Sequence, residues 1–187
     1  MLGFAATQRM DDFSTLRIQN YRECLVQSQR YLVLALGTAV AAWVLRAGTS
    51  RTEDLVALPG MFVRVDAPTA RLAFVALNFL SAALATYTVE TAQRLANSLN
   101  VDAPVASIVY EYPSIVTSPY PAVRLGGPLL GAGLVLWTQL SWAWPLKEWN
   151  GAVWAAIIVP LVPYATLVMG LWTHPSGKLN PLASTSK

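Results

Sequence analysis

The chain has 187 residues, 55% of them hydrophobic and only 12% charged, with a net charge of +3. A soluble domain carries about a quarter charged residues; here the charges fall between long uncharged runs, the pattern of a polytopic helical membrane protein. The 13 Lys and Arg form no basic block, so there is no nucleic-acid signature, and the single cysteine, Cys24, leaves no intrachain disulfide.

The first residues, MLGFAATQRMDDF, lack the basic stretch and apolar core of a cleavable signal, so targeting is expected from the first membrane helix. From Asp12 to Leu45 there is no proline, and no glycine before Gly37. Asp11 and Asp12 suit a helix start. Phe13, Leu16, Tyr21, Cys24 and Leu25 then recur with helical spacing. Residues 1–30 are therefore predicted to form an amphipathic cytosolic helix that runs into the first span. An alternative lays it flat on the inner leaflet through Arg17, Arg22 and Arg30.

The first uncharged run covers 31–45 and amounts to about 22 Å of helix, short of a hydrocarbon core of about 30 Å. Arg30 and Arg46 at its ends can snorkel. Ala35, Thr38, Ala39, Ala42 and Arg46 make a small-residue stripe along it. The connection 46–71 contains Pro59-Gly60, a turn signal compatible with a short hairpin or an interfacial loop.

The second run covers 72–89 and is predicted to continue as helix to about Asn100. Asn78, Ser81, Ala82, Ala85 and Thr88 fall on one face, with Leu80, Leu84 and Tyr87 off it. Small faces let membrane helices approach, and polar groups then bond across. A sharper reading makes Asn78, Ser81 and Thr88 line a polar path between assembled subunits.

The connection 90–124 carries EYPSIVTSPYPAVRLGGP. Asp102-Ala-Pro can start a short helix that Pro113 stops, and Pro119 and Pro121 favour extended or turn geometry. The segment reads as a stiff interfacial collar anchored by Tyr110, Tyr112 and Tyr120. Its functional alternative is a cytosolic signal site made of Tyr110, Glu111, Tyr112 and Arg124.

The third run, 125–146, has Gly127 and Gly131 at small-xxx-small spacing, then Thr138, Gln139 and Ser141. Lys147 and Glu148, helped by Asn150 and Gly151, turn the chain into the fourth run, 149–173, where Pro160 and Pro163 are candidate hinge residues. A short tail, 174–187, follows.

The predicted fold is thus an all-α, four-span membrane domain (31–173) of two antiparallel hairpins, its first and second helices extended into the cytosol. Both termini then share one side. Eight of the 13 Lys and Arg fall on that side, which the positive-inside rule makes cytoplasmic, in the cell membrane. Trp43, Trp142, Trp144, Trp149 and Trp154 collect at the outer interface, and Tyr31, Tyr87 and Trp172 near the inner one, as belts do.

No catalytic constellation is visible. His174 is the only histidine and has no ligand partner at metal spacing, and no glycine loop of phosphate-binding spacing occurs. The chain is not expected to be an enzyme or to hold a metal or cofactor. None of the four runs contains an ionisable residue, which argues against an ion-coupled carrier. Polar stripes without coupled-ion groups lead to a homo-oligomeric gated channel or membrane-permeabilising protein with a cytosolic rim. In size and span number the chain is similar to small four-span bacterial effectors that breach the membrane in anti-phage defence. The alternative is a non-conducting scaffold or accessory subunit of a larger membrane complex. Expected partners are the lipid bilayer and further copies of the chain, and the rim leaves room for a cytosolic ligand or protein.

Overall fold

The computed structural model describes residues 2–48, 55–57, 64–98, 114–118, 120–143 and 150–173. Helix α1, Leu2–Gly48, is one unbroken element. Its 47 residues make about 70 Å of helix, more than twice a hydrocarbon core. The short run 31–45 is therefore the uncharged part of a much longer rod, within the membrane-length segment Thr15–Ala47. Strands β1, Leu55–Ala57, and β2, Arg64–Asp66, pair antiparallel, which resolves the connection as a hairpin; Pro59-Gly60 lies outside the described residues.

Helix α2, Ala67–Ser98, follows β2 directly. Its start is capped by Asp66, whose carboxylate accepts from the Thr69 amide at 3.0 Å and the Thr69 hydroxyl at 2.9 Å. These bonds hold Asp66 below the usual carboxylate range. Helix α3, Pro121–Ala143, begins on a proline, whose missing N–H costs nothing in a first turn. The last apolar run is divided into α4, Gly151–Ile158, a 3₁₀ turn, Val159–Leu161, and α5, Val162–Thr173. Asn150 caps α4 by accepting from the Val153 amide.

The 3₁₀ turn follows from the two prolines. Pro163 has no N–H to give the Val159 carbonyl, and the Val162 N–H donates to that carbonyl instead, one residue tighter than an α-helical bond. Pro160 and Pro163 are both buried. They tighten the last span without breaking its path.

Three of these segments are long and apolar enough to cross a membrane: Thr15–Ala47, Ala67–Ser98 and Gly151–Thr173. The protein is thus an all-α chain with three candidate membrane-spanning helices among the described residues. Helix α3 has the length but is diluted by Gly126, Gly127, Pro128, Thr138 and Gln139. Helices α1 and α2 run antiparallel along most of their length, since Arg17 reaches Ser98 while Ala35 meets Asn78. The small stripes meet there: Ala35, Ala39 and Ala42 of α1 and Ala82 and Ala85 of α2 are all buried.

Two apolar clusters divide the core. The one at the Arg17 end joins Tyr21, Leu25 and Leu32 of α1 to Val89, Ala92 and Ala96 of α2 and Leu167 and Leu171 of α5. The other, in the middle, joins Ala35, Ala39, Ala82, Val135 and Tyr164. Outward positions such as Val33, Leu72, Leu80, Leu130, Trp137 and Met169 are exposed large apolar residues. That inversion is expected where lipid tails replace water, because lipid exerts no hydrophobic drive against apolar surface.

Candidate functional site

The bundle's centre is a polar knot built around Asn78. Its side-chain amide donates to the Ala35 carbonyl at 2.6 Å and to the Tyr164 hydroxyl at 2.8 Å, and it lies 3.4 Å from the Thr38 hydroxyl. Helices α1, α2 and α5 are thereby tied at one level. Asn78 is 1% exposed, and its Oδ1 is buried without a hydrogen-bond partner. Leaving that oxygen without a donor costs free energy, which the bonds made by the same amide's N–H groups offset.

Helix α3 closes the knot from the fourth side through a missing side chain. A Cβ on Gly131 would stand 2.7 Å from Cε1 of Tyr164 and 3.1 Å from its hydroxyl. Only glycine lets the tyrosine ring lie against α3 and still present its hydroxyl to Asn78. Gly127 plays a milder version of the part against Leu32, at 3.2 Å.

The remaining small polar residues fold back onto their own helices. Thr38 donates to Leu34 and Ala35, Ser81 to Leu77, Thr88 to Leu84 and Ala85, and Thr138 to Leu134. Thr86 differs: it donates to Ala82 and to the Pro163 carbonyl, fastening α2 to the start of α5 beside the 3₁₀ turn. Gln139 is 5% exposed and accepts from Arg71 at 2.6 Å. Of the polar residues singled out from sequence, Thr38 and Asn78 are brought together. Ser81, Thr88 and Thr138 make contacts within their own helices, and Gln139 belongs to a different end of the bundle.

At the opposite end, part of the proline-rich segment packs onto α1. Gln29 donates to the Ser114 hydroxyl at 2.9 Å, and Val116 and Thr117 are buried. The backbone turns at Ile115–Thr117, and the Tyr120 carbonyl then accepts from Val123 and Arg124 to begin α3. Arg124 is 6% exposed, with Nε and Nη1 buried and without hydrogen-bond partners. Tyr110, Glu111 and Tyr112 lie outside the described residues, as do His174 and the segment that begins at Asp102. Arg17 completes this end by donating to the last carbonyl of α2, where a cation suits the helix dipole.

Sequence reasoning missed Tyr164 and Thr86. Among the described residues no group of His, Cys, Asp and Glu is arranged to hold a metal ion. No protein-family model, no curated protein and no solved structure matches this chain.

Proposed function

We propose that this chain is a multi-pass protein of the cell membrane that acts as a homo-oligomeric gated channel or permeabilising effector, driven from a cytosolic rim. The observation that carries the reading is the continuous α1–α2 pair. Tyr21, Leu25, Ala92 and Ala96 pack at the Arg17 end, and the same two helices meet at Asn78 farther along. A displacement of that end is therefore transmitted along stiff helices to the level of the polar knot.

In this account four spans cross the membrane as two antiparallel hairpins, with α3 as the least apolar, and both termini are cytoplasmic. The rim consists of the α1–α2 extensions and the collar that carries Arg124. Asn78, Thr38 and Tyr164 spend their hydrogen bonds inside one chain. A conducting path consequently forms between chains, with the knot holding each subunit's shape. A role in bacterial anti-phage defence fits this architecture by analogy alone.

The test is ion or dye release from vesicles reconstituted with the purified chain. Release that rises with the density of the chain in the vesicle supports a channel, and tight vesicles at every density refute it. The scaffold reading is favoured by the same closed knot, which leaves no free polar face at that level. It gains if tight vesicles accompany stoichiometric co-purification of one different membrane protein.

A further inference from the structure

At the end of the bundle opposite Arg17, Arg46 sits in the last turn of α1 and Arg71 near the start of α2. Arg71 donates to Gln139, and its guanidinium carbon lies 3.7 Å from the centroid of the Trp142 ring. Arg46 donates to the Ser141 carbonyl at 3.1 Å, and its charge acts on Arg71. Both guanidinium groups keep a buried Nε with no hydrogen-bond partner. Neither makes an ion pair with a carboxylate among the described residues. Two cations held together at the edge of a low-dielectric region repel each other, and a shared anion removes that cost.

Arg71 lines an apolar cleft, with the Arg46 charge acting on it from outside the lining. A groove of about 460 Å³ lies between α2, α3 and α4, lined by Arg71, Gln139 and Trp142 at its polar end and by Leu72, Val75, Val159 and Pro160 beyond. Leu72 and Val159 are exposed on the outer, lipid-directed surface. One guanidinium fork with a second cation behind it, beside an apolar wall, matches an amphiphile with a phosphate head.

We propose that this cleft binds an anionic phospholipid, its phosphodiester held by Arg71 with Arg46 behind it and one acyl chain lying along Leu72, Val75 and Val159. Gln139 and Trp142 position Arg71, the first through its amide oxygen and the second by a cation–π contact. The site is independent of whether the assembly conducts.

Native mass spectrometry of the purified full chain tests it, with phosphatidylglycerol and phosphatidylcholine offered at equal concentration and millimolar inorganic phosphate as competitor. Both lipids carry the phosphodiester, but the choline cation of phosphatidylcholine is repelled by the two arginines, so the expected result is retention of phosphatidylglycerol over phosphatidylcholine by about tenfold. Inorganic phosphate should leave the bound lipid in place. Arg71→Gln should lose that preference, and Arg71→Lys should lose part of it because the fork is gone. Arg94→Gln, an exposed charge at the other end, should keep it. Equal retention of the two lipids in the wild-type chain overturns the proposal without any variant. Displacement by inorganic phosphate overturns the lipid assignment, and a full preference in Arg71→Gln or an equal loss in Arg94→Gln overturns the placement.

Discussion

Asn78 and Tyr164 form the pair on which the packing argument turns, and a double-mutant cycle isolates it. Tyr164→Phe removes one hydroxyl with almost no change of volume, and Asn78 keeps its 2.6 Å bond to the Ala35 carbonyl. Interhelical hydrogen bonds in membranes average ~0.6 kcal/mol and reach ~1.7, so Tyr164→Phe should cost about 1 kcal/mol. Asn78→Ala loses the bonds to both Ala35 and Tyr164, strands the tyrosine hydroxyl and opens a small cavity. Two bonds plus the cavity suggest about 2–3 kcal/mol. The double variant should cost less than the sum, with a coupling energy of ~0.6–1.7 kcal/mol. Reversible unfolding in mixed micelles, followed by tryptophan fluorescence, reads all four corners. A coupling no larger than the ~0.3–0.5 kcal/mol scatter of independent sites would refute the knot. So would an Asn78→Leu variant of unchanged stability that loses ion flux, since that outcome places Asn78 on a conducting path.

Gly131→Ala should destabilise by ~1–3 kcal/mol, because the added methyl meets the Tyr164 ring at 2.7 Å. Gly133→Ala has open space around its Cβ and should instead be neutral or stabilising by up to ~1 kcal/mol, and thermal denaturation of the two variants in one detergent makes the comparison. Arg124→Met should hold or raise stability, since a buried guanidinium with two unpartnered nitrogens gives way to apolar volume. Tyr112→Ala with Arg124→Ala should insert and assemble normally yet lose triggered flux; normal triggering leaves the collar as a collar. For the cap, the Asp66 pKa is depressed in the folded chain, so its stabilisation is complete above its unfolded value of about 4 and fades as pH falls through the lower, folded value. Hydrogen exchange at the Thr69 amide should therefore speed up in that acid window, and in Asp66→Ala it should be fast at every pH.

Much of the framework was readable in the residues because helix periodicity and residue size act locally. The stripes through Ala35 and Ala39 and through Asn78, Ala82 and Ala85 were each legible, and the structure buries them against each other. The extension of α2 past Val89 was equally legible. Tyr164 was not, because within IIVPLVPY a tyrosine reads as one more apolar residue. The available clue was physical: a phenol buried in hydrocarbon needs a partner for its hydroxyl, and Gly131 leaves the space for its ring. The Arg71–Gln139 contact was hidden for another reason, since its partners are 68 residues apart and share no pattern. The third apolar run illustrates a limit of counting such runs. The glycines, Pro128, Thr138 and Gln139 that let α3 pack also dilute its apolar character, so packing quality and membrane signal oppose each other in one helix.

The mass and symmetry of the particle extracted from native membranes test the central claim most directly, because they say whether copies of this chain assemble and which face meets the axis. The account predicts a closed cyclic homo-oligomer in which the knot residues Thr38, Asn78 and Tyr164 stay inside each subunit. A monomer, or a single copy bound to one different membrane protein, would contradict it.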